Sequence, residues 1–266
     1  MISDSPYTGN DRMRRGLDTL CRIERTERPG ILDGFSDVAP DLGELVVAFA
    51  FGDICSRPGL DLPTRQLVTV AALTALGNAA PQLEFHVRGA RNVGCTRQEI
   101  VETVTHVCLY AGFPATINAL TVVKTVFEAE PEPGGITGPT EAVVPDDRRE
   151  RGLRVLKAVD GDADEQVIES LQGIAPDLAR YLIEFAFGDI SSRGGIDLRT
   201  REIVTVAACT ALGTARPQLK VHVNGLLNVG GTEQEAVETI MQMIVYAGVP
   251  AAVNGLNAAR EVFRAR

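Results

Sequence analysis

The chain has 266 residues, 45% of them hydrophobic and 23% charged, with no tryptophan and only 5% aromatic residues. That length suits one large or two small domains, and the composition is that of a globular protein whose core is filled by alanine, valine and leucine. A net charge of -9 with no block of clustered Lys or Arg excludes a binder of phosphate backbones.

The most basic segment, Arg12 to Arg15, reads as a solvated first turn of a helix. No run approaches the roughly 18 apolar residues of a membrane span. The opening Met1-Ile-Ser-Asp-Ser-Pro lacks the charged and apolar regions of a signal peptide, so the cytoplasm is the expected compartment. The five cysteines, Cys21, Cys55, Cys95, Cys108 and Cys209, are odd in number and none are spaced as CxxC. They read as buried or incidental thiols rather than a disulfide framework, a zinc site or a dithiol centre.

The sequence repeats itself at an offset of 136 residues without a gap. Gly16-Leu matches Gly152-Leu, and Phe49-Ala-Phe-Gly-Asp-Ile matches Phe185-Ala-Phe-Gly-Asp-Ile. More than half of positions 37–127 are identical to their partners. The repeats predict two domains, 1–128 and 147–266, joined by a Pro/Gly-rich linker at 129–146.

Each copy reads as helices. Asp61 and Asp197 stand where N-caps belong, and Gly77 and Gly213 close the helices that follow. In the second copy Ile203, Val206, Ala207 and Thr210 form one stripe at 3-1-3 spacing. Pro81 and Pro217 suit the first turn of the next helix. Capping boxes, Thr96-Arg-Gln-Glu99 and Thr232-Glu-Gln-Glu235, open a helix running to Tyr110 or Tyr246. Ala-Gly-x-Pro breaks the chain there, and a last helix reaches Phe127 or Phe263. No alternating β-branched stretch with hairpin turns is present, so the class is all-α.

Two of the three histidines, His86 and His222, are repeat-matched and sit mid-helix. Gln82 and Gln218, four residues earlier, share their face. Gly89 and Gly225 lie three residues later, where glycine costs about 1 kcal/mol against alanine. Either a close helix crossing or room for a ligand would compensate. The preceding helix carries Arg201-Glu202; a carboxylate at the edge of its stripe can face the imidazole as an acid/base pair. The first copy has Gln66 in place of Glu202, so only the second copy holds a complete pair. His106, opposite Gln242, reads as a surface or packing residue.

Gly195-Ile-Asp-Leu-Arg-Thr-Arg-Glu-Ile-Val-Thr-Val-Ala-Ala, Ala211-Leu-Gly, Pro217-Gln-Leu-Lys-Val-His-Val and Tyr246-Ala-Gly-Val-Pro-Ala-Ala-Val-Asn254 together resemble the carboxymuconolactone decarboxylase family. Both copies match. The resemblance implies an all-α fold and places the family's Glu on Glu202 and its His on His222, with His86 as the first-copy counterpart. Members similar to alkylhydroperoxidase D carry a CxxC. The matching positions here are Ala79 and Gln82, and Ala215 and Gln218, so thiol peroxidase chemistry is not expected. The name-giving members release CO2 from a carboxylated muconolactone in aromatic catabolism without metal or organic cofactor. Single-copy members assemble as trimers of dimers, so the fused pair implies a homotrimer.

The expectation is a cofactor-independent lyase acting on a small carboxylated lactone-like or oxo substrate. His222 and Glu202 would be catalytic, with Arg201, Gln218, His86 and Gln82 binding substrate. A cofactor-free cyclase or isomerase, and a non-catalytic binding protein, remain the alternatives.

Overall fold

A computed structural model of the chain describes residues 10–130 and 147–266, apart from positions 33, 35, 36, 40, 162–168 and 172. Among the described residues there are helices and no strand. The opening residues 1–9 and positions 131–146 of the expected linker lie outside the described residues.

The first repeat runs through α1 (Asn10–Glu24), a short α2 (Leu42–Leu45), a π-helix (Val46–Cys55), α3 (Leu62–Leu76), α4 (Ala80–Asn92) and α5 (Arg97–Ala129). The second repeats that order with α6 (Arg148–Asp160), α7 (Pro176–Tyr181), a π-helix (Leu182–Ser191), α8 (Leu198–Leu212), α9 (Arg216–Asn228), α10 (Glu233–Ala247) and α11 (Val249–Ala265). α5 corresponds to α10 and α11 together: Gly112, at φ 78°, breaks it where Gly248, at φ 86°, separates the other two.

The local signals fold as their chemistry dictates. Asp61 accepts from the Thr64 N–H at 2.8 Å, and Asp197 from the Thr200 N–H at 2.7 Å. Gly77 and Gly213 end α3 and α8 in the left-handed conformation. Both capping boxes are closed.

The π-helices are packed against α1 and α6 through glycine. A methyl group on Gly16 would collide with the Val47 carbonyl, and one on Gly52 with the Arg12 carbonyl. Gly152 and Gly188 repeat that contact. Arg12 then reaches Asp53 at 2.6 Å, and Arg148 reaches Asp189 at 2.9 Å. Arg12 and Arg15 therefore tie α1 to its neighbour rather than forming only a solvated turn.

The two central helices, α3 and α8, pack on each other. Val204 and Ala208 enter the core of the first repeat, while Val68 and Ala72 enter that of the second. Both helices are buried almost all round, which a single apolar stripe does not predict; the second face is covered by the other repeat.

This burial traps two arginines. Arg65 donates to Glu238 at 2.9 Å and to Gln242 at 2.9 Å, both from the second repeat. Arg201 is 1% exposed and reaches Glu102 at 3.3 Å, His106 at 3.5 Å and the Arg193 carbonyl at 2.6 Å. Arg57 and Arg193 add bidentate contacts to the same two carboxylates. These ion pairs of one repeat on the other are returned at the matching positions, as in an isologous dimer interface.

Glu102→Ala should leave the Arg201 and Arg193 guanidinia without their carboxylate. We expect a loss of about 3–5 kcal/mol in urea unfolding. Glu102→Leu combined with Arg201→Met should recover much of it. A loss below about 1 kcal/mol for the single substitution would show that the pair carries little weight.

Candidate active site

α4 and α9 each present one histidine toward the preceding central helix. His222 Nδ1 lies 2.8 Å from Glu202 Oε2. His86 Nδ1 lies 2.9 Å from Gln66 Oε1. Both acceptors come close because the residue after the next turn is glycine. A methyl on Gly225 would stand 2.8 Å from Glu202 Oε2 and 2.8 Å from the Val159 side chain. One on Gly89 would stand 3.0 Å from Gln66 Oε1 and 2.6 Å from the Ile23 side chain. The two mid-helix glycines thus serve a close crossing of three helices.

The other ring nitrogen of each histidine faces the opposite repeat. Tyr110 of the first repeat places its hydroxyl 3.2 Å from His222 Nε2. Tyr246 of the second places its hydroxyl 3.3 Å from His86 Nε2. Since Glu202 and Gln66 Oε1 are acceptors, each imidazole carries its proton on Nδ1 and accepts from tyrosine at Nε2. Burial pushes both phenols up, and the Glu202 carboxylate adds to the effect on Tyr110. Both tyrosines therefore stay protonated and donate.

A third, acidic residue stands at each site. Asp160 ends α6 close enough for His222 and Glu202 to act on its carboxyl. Burial raises that carboxyl, His222 opposes the rise and Glu202 adds to it. Its counterpart, Glu24, is likewise raised by burial. Glu24 lines a cavity of about 590 Å³ with Phe51, Gln82, Phe85, His86 and Tyr246.

The two sites differ in charge. Around His222 the chain reads carboxylate, imidazole, phenol. Around His86 it reads amide, imidazole, phenol, and burial lowers the His86 pKa to about 3. His222 retains 12% side-chain exposure beside a Glu202 that is 5% exposed.

The structure brings together His222 with Glu202, and His86 with Gln82 at the cavity. Gln218 is exposed in the first turn of α9. Arg201 is placed elsewhere: its terminal guanidinium nitrogens are held by Glu102, His106 and backbone carbonyls between the repeats. At 1% exposure and with its counter-ion already in place, it is committed to the contact between the repeats. His106 is packed rather than superficial. Its Nε2 meets Thr205 at 2.9 Å, as the Gln242 amide meets Thr69 at 2.9 Å.

Sequence reasoning missed Tyr110 and Tyr246, treating them as markers of a helix end. A signal was available: the chain has four tyrosines, and these two match at the repeat offset. Asp160 and Glu24 match each other as well, outside the segment of densest identity.

Among the described residues no group of three or more His, Cys, Asp or Glu side chains could hold a metal ion. The five thiols are unpaired with one another, and all but Cys21 are buried.

Comparison with known proteins agrees with this architecture. The 4-carboxymuconolactone decarboxylase of Acinetobacter baylyi is 40% identical over 118 residues, 44% of this chain and 87% of that protein. The nitrosuccinic acid decarboxylase of Metarhizium robertsii is 40% identical over 82 residues, 30% of this chain and 56% of that protein. A Burkholderia xenovorans crystal structure, assigned as a gamma-carboxymuconolactone decarboxylase subunit, superposes with a TM-score of 0.59 at 22% identity. It covers 98% of this chain and 100% of that one, and shows the shared fold. The model of the carboxymuconolactone decarboxylase family matches residues 40–125 and again 176–261, one match per repeat. The chain is thus a tandem member of the carboxymuconolactone decarboxylase family.

Proposed function

We propose that the chain is a cofactor-independent decarboxylase of a small carboxylated lactone-like or oxo substrate, working at the second-repeat site. The observation that carries this reading is the Glu202–His222–Tyr110 chain, with contacts of 2.8 and 3.2 Å. The decarboxylases among its relatives support the class of reaction.

Loss of CO2 leaves an electron pair on carbon, and a conjugated carbonyl can hold it as an enolate. The site must then steady the enolate oxygen and return one proton to carbon. Tyr110, a neutral donor, turns from His222 Nε2 to that oxygen when substrate enters. His222 Nε2, freed from Tyr110, takes up a proton from solvent and then delivers it to carbon. Glu202 balances the charge while the ring carries two protons, as the carboxylate of a hydrolase triad does. Asp160, with its raised carboxyl, resupplies a proton from solvent. The net reaction exchanges one CO2 for one proton.

On a substrate that this chain turns over, His222→Ala and Glu202→Gln should each lower kcat/KM by about 10²–10⁴. Tyr110→Phe should lower kcat more than it raises KM. Product analysis should show the loss of one CO2. Undiminished turnover in both His222→Ala and Glu202→Gln would remove these residues from the mechanism, and a product of unchanged mass would replace decarboxylation by isomerisation.

The contrast between the sites also sets a dependence on pH. In the unfolded chain His86 takes up a proton below about pH 6.5; in the folded chain it does so only near pH 3. The unfolded state therefore binds more protons between these values. The contribution of a neutral His86 to stability is complete above about pH 6.5 and shrinks as pH falls toward 3. Denaturant midpoints should fall over that interval, and less steeply in His86→Gln. The His86 ring signal in nuclear magnetic resonance should stay flat from pH 5 to 8.

The homotrimer is supported by exposed apolar residues that recur at the repeat offset, Phe113 and Ile117 in α5 and Val249 and Val253 in α11. Native mass spectrometry should return three chains; a monomer at micromolar concentration would count against the assembly.

A further inference from the structure

The cavity at the first-repeat histidine has no place in the reaction just described. It measures about 590 Å³, within the range of small-molecule sites. Its walls are apolar, from Leu20, Val46, Phe51 and Phe85, and it is completed by Val245 and Tyr246 of the other repeat. Among the described residues its polar side chains are Gln82, His86, Tyr246 and Glu24.

None of these lining groups is a cation. His86 is neutral because burial holds its pKa near 3 and because its partner is the Gln66 amide at 2.9 Å rather than a carboxylate. Among the described lining residues Glu24 carries the one carboxyl, and burial raises it. A carboxylate ligand would be desolvated without a counter-ion and would face Glu24 besides. An uncharged ligand meets no such cost. Its apolar body gains burial, and an oxygen on it can accept from the Gln82 amide.

We propose that the first-repeat cavity is a binding site, without turnover, for an uncharged, largely apolar small molecule bearing a hydrogen-bond-accepting oxygen, such as a lactone or ketone. The cavity selects against the carboxylated form of the same skeleton. The proposal stands apart from whatever reaction occurs at His222, since it rests on the lining of a separate cavity.

Coumarin, a neutral lactone, and coumarin-3-carboxylate form a matched pair of probes. Titration calorimetry on the full chain at pH 7.5 should show coumarin binding at one site per chain. Coumarin-3-carboxylate should bind there at least tenfold more weakly. Glu24→Gln should narrow that gap severalfold by removing the repelling group. Val46→Trp should fill the cavity and weaken coumarin at least tenfold, whereas Leu182→Trp, its match in the second repeat, should not.

A second readout needs no substitution. The chain has three histidines, so ¹⁵N labelling gives three resolvable ring environments. Coumarin should shift the His86 ring and leave His222 in place. Absence of coumarin binding, preference for the carboxylate, loss on Leu182→Trp rather than Val46→Trp, or a shift confined to His222 would each overturn the proposal.

Discussion

Two arginines sit in the interior of this molecule, each neutralised by a glutamate from the opposite repeat. A guanidinium taken out of water costs several kcal/mol unless its charge and its donors are met. Arg65 and Arg201 have their charge met by Glu238 and Glu102, and their terminal nitrogens by Gln242 and His106 and by carbonyls of the loops ahead of α3 and α8; only the Nε donor of each finds no partner among the described residues. In each pair the arginine comes from one repeat and the glutamate from the other. The arrangement fixes how α3 and α8 lie against each other, and so fixes where α5 and α10 cross them. Tyr110 ends its run on α5 eight residues after Glu102, and Tyr246 stands eight after Glu238. The helices that deliver the glutamates to the centre therefore deliver the tyrosines to the histidines.

Each site is in consequence a composite. Its histidine and its acid or amide come from one repeat, and its phenol from the other. The polar chains share geometry and differ in one group: the carboxylate of Glu202 against the amide of Gln66. That single difference separates a site with a charge able to balance an imidazolium from one whose imidazole stays neutral. The surrounding features, the crossing glycines Gly89 and Gly225 above all, are common to both.

Much of this was legible in the sequence because it obeys local rules. Asp61, Asp197, the two capping boxes and the glycines after α3 and α8 follow from hydrogen bonds that a helix end must satisfy. The Glu202–His222 pairing could be anticipated from stripe position and from family resemblance. What was not legible depends on the second repeat covering a face. Arg201 looks like a surface charge next to a stripe, since periodicity treats one helix at a time. The burial of its whole circumference follows only once α8 is seen against α3. His106 and Gln242 seem unrelated until both are found bonding an arginine and a threonine across the same interface. The π-helices carry no periodicity of their own that would announce them. Their signal is the glycine pairs at Gly16 with Gly52 and Gly152 with Gly188.

The crossed tyrosines have one more implication, for inheritance. In an assembly of identical chains every substitution appears in both partners, so a change that silences one pocket silences its mate. Covalent fusion of the two halves lifts that coupling. A composite pocket can then lose its carboxylate while still lending its phenol to the neighbour. It also makes the encounter between the halves independent of dilution, because the effective concentration of one for the other is set by the tether. Drift at the first half's own polar chain is thereby uncoupled from the second, whereas Tyr110 and Glu102 are held in trust for it.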